Sequence, residues 1–178
     1  MSARFTLRDA TSEAHESLDT MMGSLDLSNA ADYARFLRIQ AAALLPYETA
    51  LDHAGAAQIL ADWPAHRRGA SLLEDLDALG IPLPKPVAIP SVVGEPDVLG
   101  ALYVLEGSRL GGKLLEREVP DGMPKAFLRH EPPLAWREFV ALLEQRLASP
   151  VDRAVAVQAA TKTFDAFSTA AREYLGTQ

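Results

Sequence analysis

The spacing of apolar residues constrains this chain most: along nearly its whole length they recur at three and four, and no segment alternates cleanly at two. That pattern predicts an all-α architecture. The first helix is expected over residues 5–22, with Leu7, Thr11, His15, Leu18 and Met22 on one stripe. A second starts after the N-cap candidates Ser28 and Asn29, carries Phe36, Leu37, Leu44, Leu45 and Leu51 inward, and contains Pro46, where a kink is expected. Helical pieces follow over 56–63 and 64–79, with Gly80 as terminator. Pro82, Pro84, Pro86, Pro90 and Pro96 then impose an extended surface strap. Beyond it, helices are expected over 97–117 and 134–147, separated by a Gly/Pro turn and a short piece ending at His130. Ser149-Pro150 opens the last helix, whose buried face is marked by Val157, Ala160, Phe164, Phe167, Ala171 and Tyr174. There are no repeats, and neither side of the strap makes a core alone, so residues 1–178 read as a single domain.

Composition narrows the chemistry. Lys plus Arg is 17 and Asp plus Glu is 24, a formal net charge of −7, which opposes binding to nucleic acid or to an anionic membrane. The absence of cysteine excludes disulfides, thiolate metal sites, iron–sulfur clusters and cysteine nucleophiles. No apolar run approaches the roughly 18 residues of a membrane span. Arg4, Arg8, Asp9 and Glu13 break any signal-peptide pattern. A cytoplasmic protein is expected.

Two groups of residues stand out. His15 shares its stripe with Leu7, Leu18 and Met22, and two readings fit it: a core histidine bonded to a neighbouring helix, or an imidazole delivered through an apolar face to a metal. His53, His66 and His130 sit in polar or loop-like contexts, and neither H-E-x-x-H nor repeated Glu-x-x-His occurs. One histidine cannot hold a bare ion, but it can be the single protein ligand of an iron already held by a porphyrin. Residues 103–115 read as one helix yet contain Gly107, Gly111 and Gly112, with Gly100 seven before Gly107 on nearly the same face. Each interior glycine forfeits about 1 kcal/mol against alanine. Such a stripe serves either a close crossing of two helices or a flat ligand lying against bare backbone. Ser108, beside the first of these glycines, is placed to offer its hydroxyl to a water above such a ligand. Arg8, Arg109, Lys113, Arg129 and Arg137 are surface charge or partners for ligand carboxylates. Phe164 and Phe167 read as core, though a ligand wall would use the same residue type. No G-x-S-x-G elbow, phosphate loop or dinucleotide-binding unit is present.

The segment Leu7-Arg8-Asp9-Ala10-Thr11-Ser12-Glu13-Ala14-His15-Glu16, together with residues 103–115, resembles the haem (heme) oxygenase family, above all its bacterial and bacteriophytochrome-associated members. The resemblance implies heme sandwiched between a proximal and a distal helix, with His15 as the iron ligand. It places Gly107, Gly111 and Gly112 over the heme face. Arg8, Tyr103 and the less firmly anchored Arg137 fall near the propionates, and Phe164 in the distal pocket. Ser108 stands where mammalian members carry an aspartate that orders distal water. The implied reaction opens heme to biliverdin, by resemblance the IXα isomer, with carbon monoxide and ferrous iron. It uses O2 and electrons from an external reductase or ferredoxin, and the biliverdin passes to a bacteriophytochrome. A silent heme-binding or partner-binding protein of the same fold is the alternative.

Overall fold

Residues 2–176 are described by the computed structural model; Met1, Thr177 and Gln178, the ends of the expected domain, lie outside them. Among the described residues there is no strand. The α-helices are α1 (Ala3–Met22), α2 (Ala30–His53), α3 (Trp63–His66), α4 (Gly69–Ala78), α5 (Glu95–Glu118), α6 (Ala126–Arg129), α7 (Trp136–Arg146) and α8 (Pro150–Leu175). Local chemistry sets several starts. Asn29 accepts from the backbone N–H groups of Ala31 and Asp32, and Ser149 from those of Val151 and Asp152 with Pro150 behind it. Gly80, at φ 63°, turns the chain out of α4 in the left-handed region open to glycine.

Helix α8 is the spine: α1, α2 and α5 all pack along it, over a face of Ala156, Ala160, Phe164, Phe167 and Ala171 that is buried throughout. Small residues let α5 come close. A Cβ at Gly100 would overlap the Ala156 carbonyl oxygen and stand 2.8 Å from Ala159 Cβ, so at this position the glycine serves a helix crossing. Helix α2 continues through Pro46 as one element. The proline-rich strap crosses α2 in extended form, tied where the Val87 N–H donates to the Ala42 carbonyl at 2.9 Å, with the Val87 side chain buried beneath.

The helix expected over 64–79 is two helices, broken at Arg67-Arg68. The cause is tertiary. Buried Glu48 of α2 caps α4, accepting from the Arg68 N–H at 2.6 Å and the Gly69 N–H at 3.1 Å. A Cβ at Gly69 would lie 2.6 Å from a Glu48 carboxylate oxygen, so this close cap needs glycine.

Candidate functional site

The end of α7 sets α1 and α5 side by side. Glu144 accepts from the backbone N–H groups of Ala3 at 2.8 Å and Arg4 at 3.0 Å, and from the Ser2 hydroxyl. Two residues on, Arg146 pairs with Glu95 at 3.2 Å. Both helices therefore start from the same support. Eight residues into each, Tyr103 of α5 lies beside Thr11 of α1, near enough for Thr11 to act on its phenol, so the helices run in parallel and level register. One turn further, twelve residues from each start, stand His15 and Gly107, both about 18 Å along at 1.5 Å per residue. Beyond the Thr11–Tyr103 contact α1 and α5 scarcely touch, and each rests on α8 instead.

His15 is not inward as its stripe suggests. Leu7 and Thr11 are buried and Leu18 and Met22 half-buried, but the His15 side chain is 58% exposed. The helices part at this level, so this turn of the stripe has no neighbour to be buried against. The imidazole is nevertheless held. Its Nδ1 lies 3.2 Å from Asp19 Oδ2 one turn on, and its ring meets Phe164 edge-on at 5.6 Å. With Nδ1 turned to the Asp19 carboxylate, Nε2 is the ring nitrogen left open to a ligand. Phe164, expected on the distal side with the α5 glycines, is thus beside His15 instead, because this buried residue of α8 lies where α8 packs on α1.

The glycines divide. A Cβ at Gly111 would meet nothing within 4 Å, and one at Gly107 would meet only the Trp136 ring, at 3.5 Å. With exposed Leu114 three residues on, they make a bare apolar stripe along α5. Gly112 faces elsewhere: it is buried, with the Leu128 carbonyl 3.7 Å from where its Cβ would be. The expectation of one cleared face over 107–112 thus narrows to Gly107 and Gly111, because five residues turn a helix about 140°.

Of the basic candidates, Arg8 is exposed on α1, stacked 4.7 Å over Phe5 and paired with Asp9 at 2.7 Å. Tyr103 is half-buried next to it, its phenol pushed up by burial against the pull of Arg4 and Thr11. Arg137 is exposed in the first turn of α7, next to Trp136, whose ring tilts on Tyr103 at 5.9 Å. Lys113 and Arg129 are taken by Glu131 at 3.3 Å and Glu116 at 2.7 Å.

The Ser108 hydroxyl is not free, contrary to expectation. It donates to the Leu105 carbonyl at 2.7 Å and accepts from Arg68 Nη2 at 2.8 Å, which leaves one acceptor lone pair for water. Arg68 is the residue that sequence reasoning missed. The Glu48 cap that breaks the helix also points its guanidinium at α5, where it lies 4.9 Å over Phe127. It lines a cavity of about 330 Å³ with Gln40, Ser108, Arg109, His130 and Trp136 among its other walls. Behind that wall, Arg109 grips both carboxylate oxygens of buried Glu106 at 3.0 Å. It also donates to the His66 carbonyl and to His130 Nδ1 at 3.0 Å. Burial would raise the Glu106 carboxyl, but His66 and Arg109 hold it below the ordinary value. His66 Nδ1 is 3.3 Å from Glu106 Oε2 yet off the hydrogen-bond line. No local pattern announces this network, because its members come from four separate segments.

No protein-family model matches the chain. A curated protein named heme oxygenase, from Xanthomonas campestris pv. campestris (strain 8004), is 36% identical over 148 residues, 79% of this chain and 89% of the relative. The crystal structure of NO- and CO-bound heme oxygenase from Neisseria meningitidis superposes with a TM-score of 0.78 at 22% identity, over 100% of this chain and 94% of that one. The second likeness concerns the fold. The first, at that identity and over that much of both chains, carries the conclusion that this chain belongs to the heme oxygenase family.

Proposed function

We propose that this protein degrades heme, opening the macrocycle to biliverdin, carbon monoxide and ferrous iron. The observation that carries the reading is the level placement of His15 and Gly107 on two parallel helices over α8. One helix offers an imidazole, and the other a backbone with no side chain to obstruct a disc. Heme supplies the iron at which O2 is reduced.

The chain's own residues do the rest. Asp19 fixes His15 with Nε2 free for the iron, and Phe164 supports the ring. Gly107 and Gly111 let the macrocycle lie against α5, with Leu114 as apolar cover. Arg8, Tyr103 and Arg137 take the propionates, Arg8 exchanging Asp9 for a ligand carboxylate. Ser108 holds a cavity water through its remaining lone pair, oriented by Arg68 and placed to move a proton towards the α5 face. Gly112 lets the Leu128 carbonyl close the far side of that cavity.

Electrons come from a separate reductase or ferredoxin, and a bacteriophytochrome takes up the biliverdin, both in the cytoplasm; this part rests on the resemblance of the histidine and glycine segments. Among the described residues no helix is long and apolar enough to cross a membrane. The isomer proposed is IXα, set by the in-plane orientation that the propionate partners impose.

The test is to add heme to the purified protein and then reductant and O2 while recording absorption. A Soret band that bleaches as a biliverdin spectrum rises is expected. A stable Soret band would instead mean a silent heme binder, and no Soret band would remove heme from the site.

A further inference from the structure

The Arg68 guanidinium is a buried charge short of its counter-charge. The residue is 6% exposed, and among the described residues its guanidinium hydrogen-bonds through Nη2 alone, to the Leu105 carbonyl at 3.0 Å and to Ser108 Oγ. Among the described residues no carboxylate comes within 4 Å of it. Glu48 caps α4 through the Arg68 backbone N–H, while its carboxylate meets Arg67 at 3.5 Å. Burial first, and the Arg109 guanidinium second, push Arg68 down to about 9, more than Glu106 and Glu48 restore.

The other charges lining the same cavity are matched. Arg109 is bound by Glu106 and Lys113 by Glu131. His130 Nδ1 takes a hydrogen bond from Arg109, and an arginine only donates, so this imidazole is neutral and keeps an Nε2–H to give. Burial and then Arg109 lower its pKa in the same sense. One positive charge is left over, beside donors and an aromatic wall of Phe36, Phe127 and Trp136. An unpaired buried charge is costly, and a matching ion relieves it.

We propose that the cavity between Arg68, α5 and α7 is a binding site for one small monovalent anion on Arg68, of the size of chloride, formate or bicarbonate. Both two-point forks of an arginine need Nη2, which Leu105 and Ser108 already take; the donors left are Nε–H and Nη1–H, which point away from each other, so each offers an anion a single bond. The single surplus charge and the aromatic wall disfavour dianions. Chloride, formate and bicarbonate each satisfy that charge through one such bond. The site depends on the cavity and its charges alone, so it stands or falls independently of heme degradation.

The probes are formate, bicarbonate, chloride and sulfate, each titrated as its sodium salt at matched ionic strength into the heme-free protein, with thermal unfolding as readout. The wild type should show a saturable rise in midpoint for chloride, formate and bicarbonate, about 3–6 °C at ten times Kd. Sulfate should give none beyond the general salt effect. Arg68→Met should lose the saturable part. If that variant does not fold, bromide-soaked wild-type crystals answer the same question, with an anomalous peak expected against Arg68 in the cavity. Equal responses in wild type and variant, a response led by sulfate, or bromide only on the outer surface would each overturn the proposal.

Discussion

Replacing the glycines of α5 one at a time separates a helix crossing from a ligand face, because the structure assigns the two uses to different positions. At Gly111 an added Cβ meets nothing within 4 Å, so Gly111→Ala should gain the helix propensity that glycine forfeits, about 0.8–1 kcal/mol. The heme-free midpoint should rise by about 2–4 °C. At Gly100 the same methyl overlaps the Ala156 carbonyl and sits 2.8 Å from Ala159 Cβ. Backbone cannot give way as a flexible side chain does, so Gly100→Ala should lose about 1–3 kcal/mol, as overpacked cores do. Function should follow the opposite order. Gly111→Leu should leave the heme-free fold intact, yet displace the macrocycle from α5 and suppress biliverdin formation. The assay pairs calorimetry of the heme-free variants with heme titration and biliverdin yield. This division of roles fails if Gly111→Ala destabilises the heme-free protein as much as Gly100→Ala, or if Gly111→Leu turns heme over at the normal rate.

Two further outcomes follow from named contacts. Arg8→Ala should weaken heme binding roughly tenfold, the lower end for a charge-assisted contact because the side chain is 58% exposed and screened; a titration with unchanged affinity would take Arg8 out of the site. His130 is held neutral, its pKa lowered by burial and then by Arg109 from the ordinary 6.5. Its contribution to stability is therefore complete above about pH 6.5 and lost as the pH falls through the folded-state value. Denaturant unfolding at pH 7 and pH 5 should show a larger loss in the wild type than in His130→Asn, and identical losses would contradict the assignment.

Apolar periodicity and cap residues are enough to read the helices, since Ser149-Pro150, Asn29 and the Leu7–Thr11 stripe act within a few residues of themselves. The break at Arg67-Arg68 is not readable in this way. It depends on Glu48, twenty-one residues earlier, reaching the Gly69 backbone, and within residues 64–79 the helix cost of Gly69 is a weak local sign against one continuous helix. The same blindness hides Arg68, whose direction is set by that cap. Gly100, Gly107 and Gly111 share a helical face in sequence but meet α8, Trp136 and open space respectively, because periodicity gives the face and not its neighbour. His15 is legible as a residue out of place on its stripe. Its exposure depends on where α1 and α5 separate, and that follows from the anchors at Glu144 and Arg146.

Everything proposed for heme depends on its iron being carried by His15 opposite the Gly107–Gly111 stripe, and the absorption spectrum of heme-loaded His15→Ala probes that arrangement without intermediaries. The Soret band should move from its wild-type position, no biliverdin should form on adding reductant and O2, and both features should return in part when free imidazole is supplied. A wild-type spectrum in His15→Ala would contradict this assignment. So would the same loss on replacing His53, His66 or His130 in a protein that keeps His15.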